Sequence, residues 1–362
     1  MNGPLHGLRV VELAGQGPAP YGAMLLADLG CDVVEVVRPE TVPAAGSSGP
    51  ATNPMSRGKR SVAVDLKAPG GAQHVLRLIE RAHLFIDPFL PGVCERLGIG
   101  PEPATARNER LIYARMTGWG QSGPWATAAG HDIDYIALSG ALTAIGYAGQ
   151  PPTMPINLLG DFAGAGLVLA MGVAAAAFER ATSGKGQVID VAMVDGAAMV
   201  FGPFFAATAG GGWGPRGTNH LDGGAHFYNV YETSDGGWIA VGAIEPQFYA
   251  AFLAGLGLAD DGTQWARDGW PAWKERIAGI VRTRTRDEWL AVFDGTDACV
   301  APVLSPAEVE THPHTAAREV VIRRAGVPQP NVAPRFSRTP GEAGTPAHPG
   351  ADTIDGVLAA WV

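Results

Sequence analysis

Cysteine is scarce. The 362 residues contain only Cys31, Cys94 and Cys299, an odd number with no Cys-x-x-Cys spacing. That pattern excludes a disulfide framework and argues against a zinc site, so a reducing, cytoplasmic setting is expected. Dense basic runs are also missing. With 26 Lys and Arg against 35 Asp and Glu, the net charge is −9, and a nucleic-acid partner is not expected. Arg9 and Glu12 interrupt the N-terminal stretch before an apolar core can form, so no signal peptide is expected. The longest uncharged segment, residues 162–178, is dominated by Ala and Gly and reads as a buried core helix rather than a membrane span. What the chain has in quantity is Gly, 50 residues, and Pro, 29 residues, spread as punctuation between many short elements. The length predicts two domains.

Leu8-Arg-Val-Val-Glu-Leu13, the helical stretch from Tyr21 to Leu29 and Asp32-Val-Val-Glu-Val-Val37 form a βαβ opening. Its turn, Gly15-Gln-Gly17-Pro-Ala-Pro20, imitates a dinucleotide fingerprint, with Glu35 twenty residues beyond Gly15. Pro20 stands where the third glycine belongs, and Pro18 lacks the N–H that would cradle a pyrophosphate, so no nicotinamide cofactor is expected. Residues 41–54 read as a surface loop. After them, Arg57, Lys59 and Arg60 precede a strand from Ser61 to Asp65, and together with Arg38 they are candidate phosphate ligands or a solvated basic turn.

A helix over 70–82 and strands at 84–87, 111–116 and 187–192 continue the alternation into an α/β fold with a Rossmann-like parallel sheet. His131 and Asp161 each follow a glycine and precede an apolar helical run. Taken singly, each fits a helix N-cap. Taken together, they are two acid/base groups at two helix starts, where free N–H groups can hold an anionic oxygen. The glycine-rich residues 209–225 read as a linker between a large domain, 1–208, and a smaller α+β domain, 226–326. That domain opens on a hairpin turned by Ser234-Asp-Gly-Gly237, and a C-terminal segment, 327–362, returns over the large domain.

Several long motifs carry a resemblance over nearly the whole chain. They are Gly130-His-Asp-Ile-Asp134, Asn157-Leu-Leu-Gly-Asp161, Leu221-Asp-Gly-Gly-Ala225, Ile244-Glu-Pro-Gln247 and Met116-Thr-Gly-Trp-Gly-Gln-Ser-Gly-Pro124. In these the sequence resembles the α-methylacyl-CoA racemases of the family III CoA-transferases, the CaiB/BaiF type. The resemblance implies an interlocked homodimer whose pocket lies between the large domain of one chain and the small domain of its partner. It also implies an acyl-CoA substrate and no added cofactor or metal. His131 and Asp161 would be the two bases, and Glu245 the carboxylate orienting the histidine. The Asp132 N–H would hold the thioester oxygen, Tyr228 would supply a pocket hydroxyl, and Arg38, Arg57, Lys59 and Arg60 would hold the CoA phosphates. One departure stands out: Leu90 occupies a position where relatives usually carry Arg before Pro-Gly-Val. A transferase in which Asp161 attacks the thioester is the rival activity, and a noncatalytic acyl-CoA binder is a third.

Overall fold

Runs of β-branched residues with little polar alternation suit the strands of a parallel sheet, which is buried on both faces at its centre. In the computed structural model, which describes residues 3–43 and 53–361, six of them build one parallel sheet. The first part of the chain supplies β1 (Arg9–Leu13), α1 (Pro18–Asp28), β2 (Asp32–Val37), β3 (Lys59–Ala63), α2 (Gly71–Ile79), β4 (Leu84–Asp87), α3 (Val93–Arg96) and α4 (Pro101–Arg107). Then come β5 (Ile112–Thr117), α5 (Asp132–Leu138), a π-helical segment Leu158–Gly166, α6 (Leu167–Ser183), β6 (Gln187–Ala192) and α7 (Met193–Ala209). Strand order is β3-β2-β1-β4-β5-β6, reversing direction of growth between β1 and β4, the point where such sheets gather ligands at their carboxyl ends. The loop expected at 41–54 lies largely outside the described residues.

Adjacent valines point to opposite faces. Val11, Leu13, Val34 and Phe85 pack with Val75, Ile79, Val357 and Trp361, whereas Val10, Val33, Ile86 and Ala114 pack with Ala23, Leu26, Leu169 and Val173. The helix Leu158–Ser183 is long and apolar enough to cross a membrane, with a mean hydropathy of 1.8 over its most apolar window. Its Leu169, Val173 and Ala176 stripe lies in the core of this sheet, while Leu167, Met171 and Phe178 are exposed, so the helix expected to be buried is buried along one face only.

The chain divides into two compact units. One holds 1–139, 156–200 and 313–362, and the other holds 140–155 and 201–312. The division therefore falls inside α7 rather than after residue 208. Residues 313–326 group with the larger unit as α12 (Pro313–Ala317) and β10 (Val321–Arg324), which pairs antiparallel with β11 (Val327–Pro330). A terminal helix, α13 (Ile354–Ala360), packs Val357 into the large core.

The smaller unit has an antiparallel sheet of β7 (Tyr228–Glu232), β8 (Trp238–Gly242) and β9 (Val300–Pro302). Its helices are α8 (Pro246–Gly255), α9 (Trp270–Val281), α10 (Arg286–Phe293) and α11 (Pro306–Val309). Residues 209–225, expected to be a linker, are folded onto this unit instead. Asp222 accepts hydrogen bonds from the Gly217 and Asn219 N–H groups at 2.7 and 2.8 Å, and Asn219 is fully buried. Arg216 donates to the Thr143 carbonyl at 2.8 Å, which attaches residues 140–155 to the same unit.

Candidate active site

Three elements meet at the carboxyl side of the large sheet around the segment Leu158–Gly166. It begins one residue after Asn157 and runs without a break into α6, so Asp161 lies in its first turn, not at an isolated helix start. Glycines let backbones approach on two sides. A Cβ on Gly196 in α7 would stand 1.5 Å from the Gly164 carbonyl oxygen, and a Cβ on Gly160 would stand 2.5 Å from Asp132 Oδ1.

His131 is the residue immediately before α5, in extended conformation, and it is exposed. Its N–H donates to Asp134 Oδ2 at 3.0 Å. Tyr135 fixes the preceding turn by donating its hydroxyl to the Gly130 carbonyl at 2.5 Å, while its ring packs edge-on against Trp119. Burial pushes the Tyr135 hydroxyl up to about 12, keeping it a neutral donor. As the first residue of α5, Asp132 has an amide N–H without a partner inside the helix.

The Asp132 side chain turns the other way and accepts the Asp161 N–H at 2.7 Å. One carboxylate thus joins the helix that starts at His131 to the segment that carries Asp161. Burial raises the Asp132 carboxyl above its ordinary value. The Asp161 N–H opposes the rise, the Asp161 charge adds to it, and the Gly160 N–H opposes it again. The Asp161 carboxylate accepts from Asn157 Nδ2 at 3.0 Å through Oδ2.

Glu245 is the exposed residue before α8, and Tyr228 is the first residue of β7. Tyr228 pairs with Gly242, which brings both residues to one end of the small sheet.

The expected phosphate cluster is not assembled. Arg57 is buried, donating to both Asp28 oxygens at 3.0 and 2.6 Å and to the Pro330 carbonyl at 2.7 Å. Lys59 is fully buried against Glu12 at 2.6 Å and also donates to the Pro20 carbonyl. Arg60 forms a two-pronged pair with Asp32 and stacks over Trp361. The physical reason lies in the register. Lys59 pairs with Val33, so Arg60 stands near the amino ends of the strands, whereas Arg38 follows the carboxyl end of β2. Arg38 is exposed, as is Leu90 in the loop after β4. Among the described residues no group of three or more His, Cys, Asp or Glu side chains is placed to hold a metal ion.

Sequence reasoning overlooked Asn157 and Gly17 as parts of the site. The four-residue spacing of Asn157 and Asp161 was a usable signal, since such pairs share a helix face.

Comparison with known proteins gives this arrangement a family. The CoA-transferase family III profile matches residues 5–353. The chain is 48% identical over 340 residues to the alpha-methylacyl-CoA racemase of Mus musculus, covering 93% of this chain and 87% of that one. It is 29% identical to the acetyl-CoA:oxalate CoA-transferase of Acetobacter aceti, covering 98% and 93%. The crystal structure of a CAIB/BAIF family protein from Brucella suis superposes with a TM-score of 0.82 at 26% identity, covering both chains fully. With the profile spanning both units and a solved relative matching the whole chain, the chain belongs to CoA-transferase family III.

Proposed function

We propose that this enzyme interconverts the R and S epimers of 2-methylacyl-CoA thioesters by removing and returning the α-proton through an enolate. The observation that carries the reading is the Asp132 side chain, which joins the start of the His131 helix to the Asp161 segment at 2.7 Å. Two acid/base groups are thereby borne by neighbouring backbone, as proton transfer at opposite faces of one carbon requires. The relationship to the mouse racemase supports the same chemistry.

In the S to R direction, the neutral His131 imidazole takes the α-proton. The electron pair moves onto the thioester oxygen, to which the Asp132 N–H donates, and protonated Asp161 delivers a proton to the other face. The reverse direction starts from ionised Asp161 and protonated His131. A donor aimed at the forming enolate stabilises the transition state more than the ground state, an effect of roughly 3–4 kcal/mol for one preorganised donor. Glu245 of a partner chain orients His131, Tyr228 lines the pocket, and Arg38 takes a CoA phosphate in an interlocked homodimer.

The Acetobacter relative favours a second reading, in which Asp161 attacks the thioester carbon to form a mixed anhydride and release CoA thiolate. The two are separated by proton NMR of a 2-methylacyl-CoA incubated with the protein in deuterated water. Loss of the α-proton signal with appearance of the opposite epimer is expected. CoA transfer to a free acid without α-exchange would establish the transferase instead.

A further inference from the structure

We propose that Arg9, Arg110 and Arg180, together with the His83 ring, form a site for a small phosphate-type oxyanion at the amino ends of the parallel strands. Arg9 opens β1, His83 directly precedes β4, Arg110 stands just before β5, and Arg180 lies in the last turn of α6. The site is thus at the other end of the strands from His131 and Asp161. Arg180 is only 7% exposed. Its Nη1 donates to the His83 carbonyl at 3.1 Å and lies 3.5 Å from the Arg110 carbonyl. Arg9 donates its N–H to His83 Nδ1 at 3.0 Å and its guanidinium to the Trp361 carbonyl, and its Nε is buried without a hydrogen-bond partner. The exposed Arg110 side chain lies over the turn that follows α6, where a Cβ on Gly184 would stand 3.3 Å from Arg110 Nη1.

No carboxylate balances this charge. Among the described residues none of the three arginines makes an ion pair. Burial holds the His83 ring down to about 4, and the charges that add to it, those of Arg180, Arg9 and Arg110, are all positive. Burial, and then the Arg110 charge, likewise disfavour the charge on Arg180. A histidine escapes such repulsion by losing its proton, but a guanidinium cannot. Charges taken out of water are ordinarily paired, and the carbonyls around Arg180 offer dipoles without a counter-charge. An anion supplies one. Because His83 Nδ1 accepts the Arg9 N–H, the neutral ring carries its proton on Nε2 and is itself a donor. Guanidinium forks match phosphate geometry, and donors arriving from separate elements suit the several oxygens of a phosphate better than the two of a carboxylate.

Inorganic phosphate is titrated into the protein at constant pH and ionic strength, with chloride making up the balance, and the imidazole signals are followed by NMR. The His83 signal, identified by its loss in His83→Gln, should shift saturably while that of His226 in the smaller unit stays in place. Arg110→Gln removes one charge from an exposed side chain that no ion pair holds, so the fold should be kept and the phosphate affinity should fall by about 10-fold or more, the usual loss with one charged hydrogen-bonding partner. His83→Asp puts a carboxylate into the cluster that can accept the same Arg9 N–H. It should melt higher than the unmutated protein in the absence of phosphate and gain less from its addition. A His83 shift that does not saturate, acetate bound as tightly as phosphate, or full phosphate affinity in Arg110→Gln would overturn the inference.

Discussion

Gly17 shows how much of the site depends on a missing side chain. It precedes α1 with φ of 66°, and the place of its Cβ is 3.0 Å from Asp161 Oδ2. With ψ at −116°, outside the left-handed helical region, Gly17→Ala would add a backbone cost of about 1–3 kcal/mol and push on the Asp161 carboxylate at the same time. The expected outcome is a modest drop in melting temperature with a disproportionate fall in kcat. A variant whose kcat is unchanged would show that the carboxylate tolerates the displacement. In the sequence this glycine looked like part of a failed dinucleotide turn, because the reason for it lies 144 positions away, at Asp161. Arg57 and Lys59 misled for a similar reason. A basic cluster at the start of a strand does not announce that Asp28 and Glu12 lie opposite it in the interior. The proposal for His131 and Asp161 starts from a local pattern of glycine, ionisable residue and apolar run, and the structure adds the Asp132 side chain that links their two segments.

Among elements, strands such as Asp32–Val37 and Leu84–Asp87 were read to the residue because they are apolar, β-branched and sharply bounded, whereas β3 begins two residues before the expected Ser61 and the hairpin of β10 and β11 was not read. Helices with mixed signals were harder. α7 carries Pro203 and two glycines, Gly196 and Gly202, residues that disfavour a helix interior, yet it is helical over 17 residues. α13 hides in a tail rich in Gly and Pro, and tertiary burial of Val357 and Trp361 is what stabilises it. The crossing of α7 over Leu158–Gly166 depends on Gly196 meeting Gly164. Gly196→Ala places a methyl group where no space exists, and overpacking of that kind costs roughly 1–3 kcal/mol. Urea unfolding should show a lower midpoint, and the shifted segment should also lose α-exchange. Wild-type stability in this variant would mean that the crossing yields easily.

At the scale of the whole molecule, buried titrating groups set the response to acid. Burial, helped by the charges of Arg180, Arg9 and Arg110, holds His83 down to about 4. Burial likewise lowers His226 to about 4, Asp261 opposing and Lys274 assisting. The unfolded chain protonates these rings near 6.5, so the unfolded state gains protons first and stability falls as pH drops from about 6.5 toward 4. Glu12 works in the opposite sense. Burial raises it to about 7 against the pull of Lys59, so its contribution declines as pH rises from 4.5 to 7. Asp28, Asp87 and Asp132, whose carboxyls burial also raises, act in the same sense as Glu12, so the histidines' share is read by difference. Between pH 6.5 and 4.5 the melting temperature of the unmutated protein should fall more steeply, or rise less, than that of His83→Gln/His226→Gln. Identical pH slopes for the two proteins would contradict the assignment of both rings as buried and neutral.

Arg57 has a further consequence in the order of synthesis. Its guanidinium joins Asp28, near the beginning of the chain, to the Pro330 carbonyl, close to its end. Ser61 likewise donates its N–H to Asp352, and Asp32 accepts from the Trp361 ring. A nascent chain leaving the ribosome therefore carries its first three strands with their closing partners still untranslated. All of 140–155 and 201–312 must emerge before residues 313–361 can dock. Until then Arg57 and Asp28 lack the carbonyl that completes their enclosure, and truncated translation products are left with an open seam that a protease can enter.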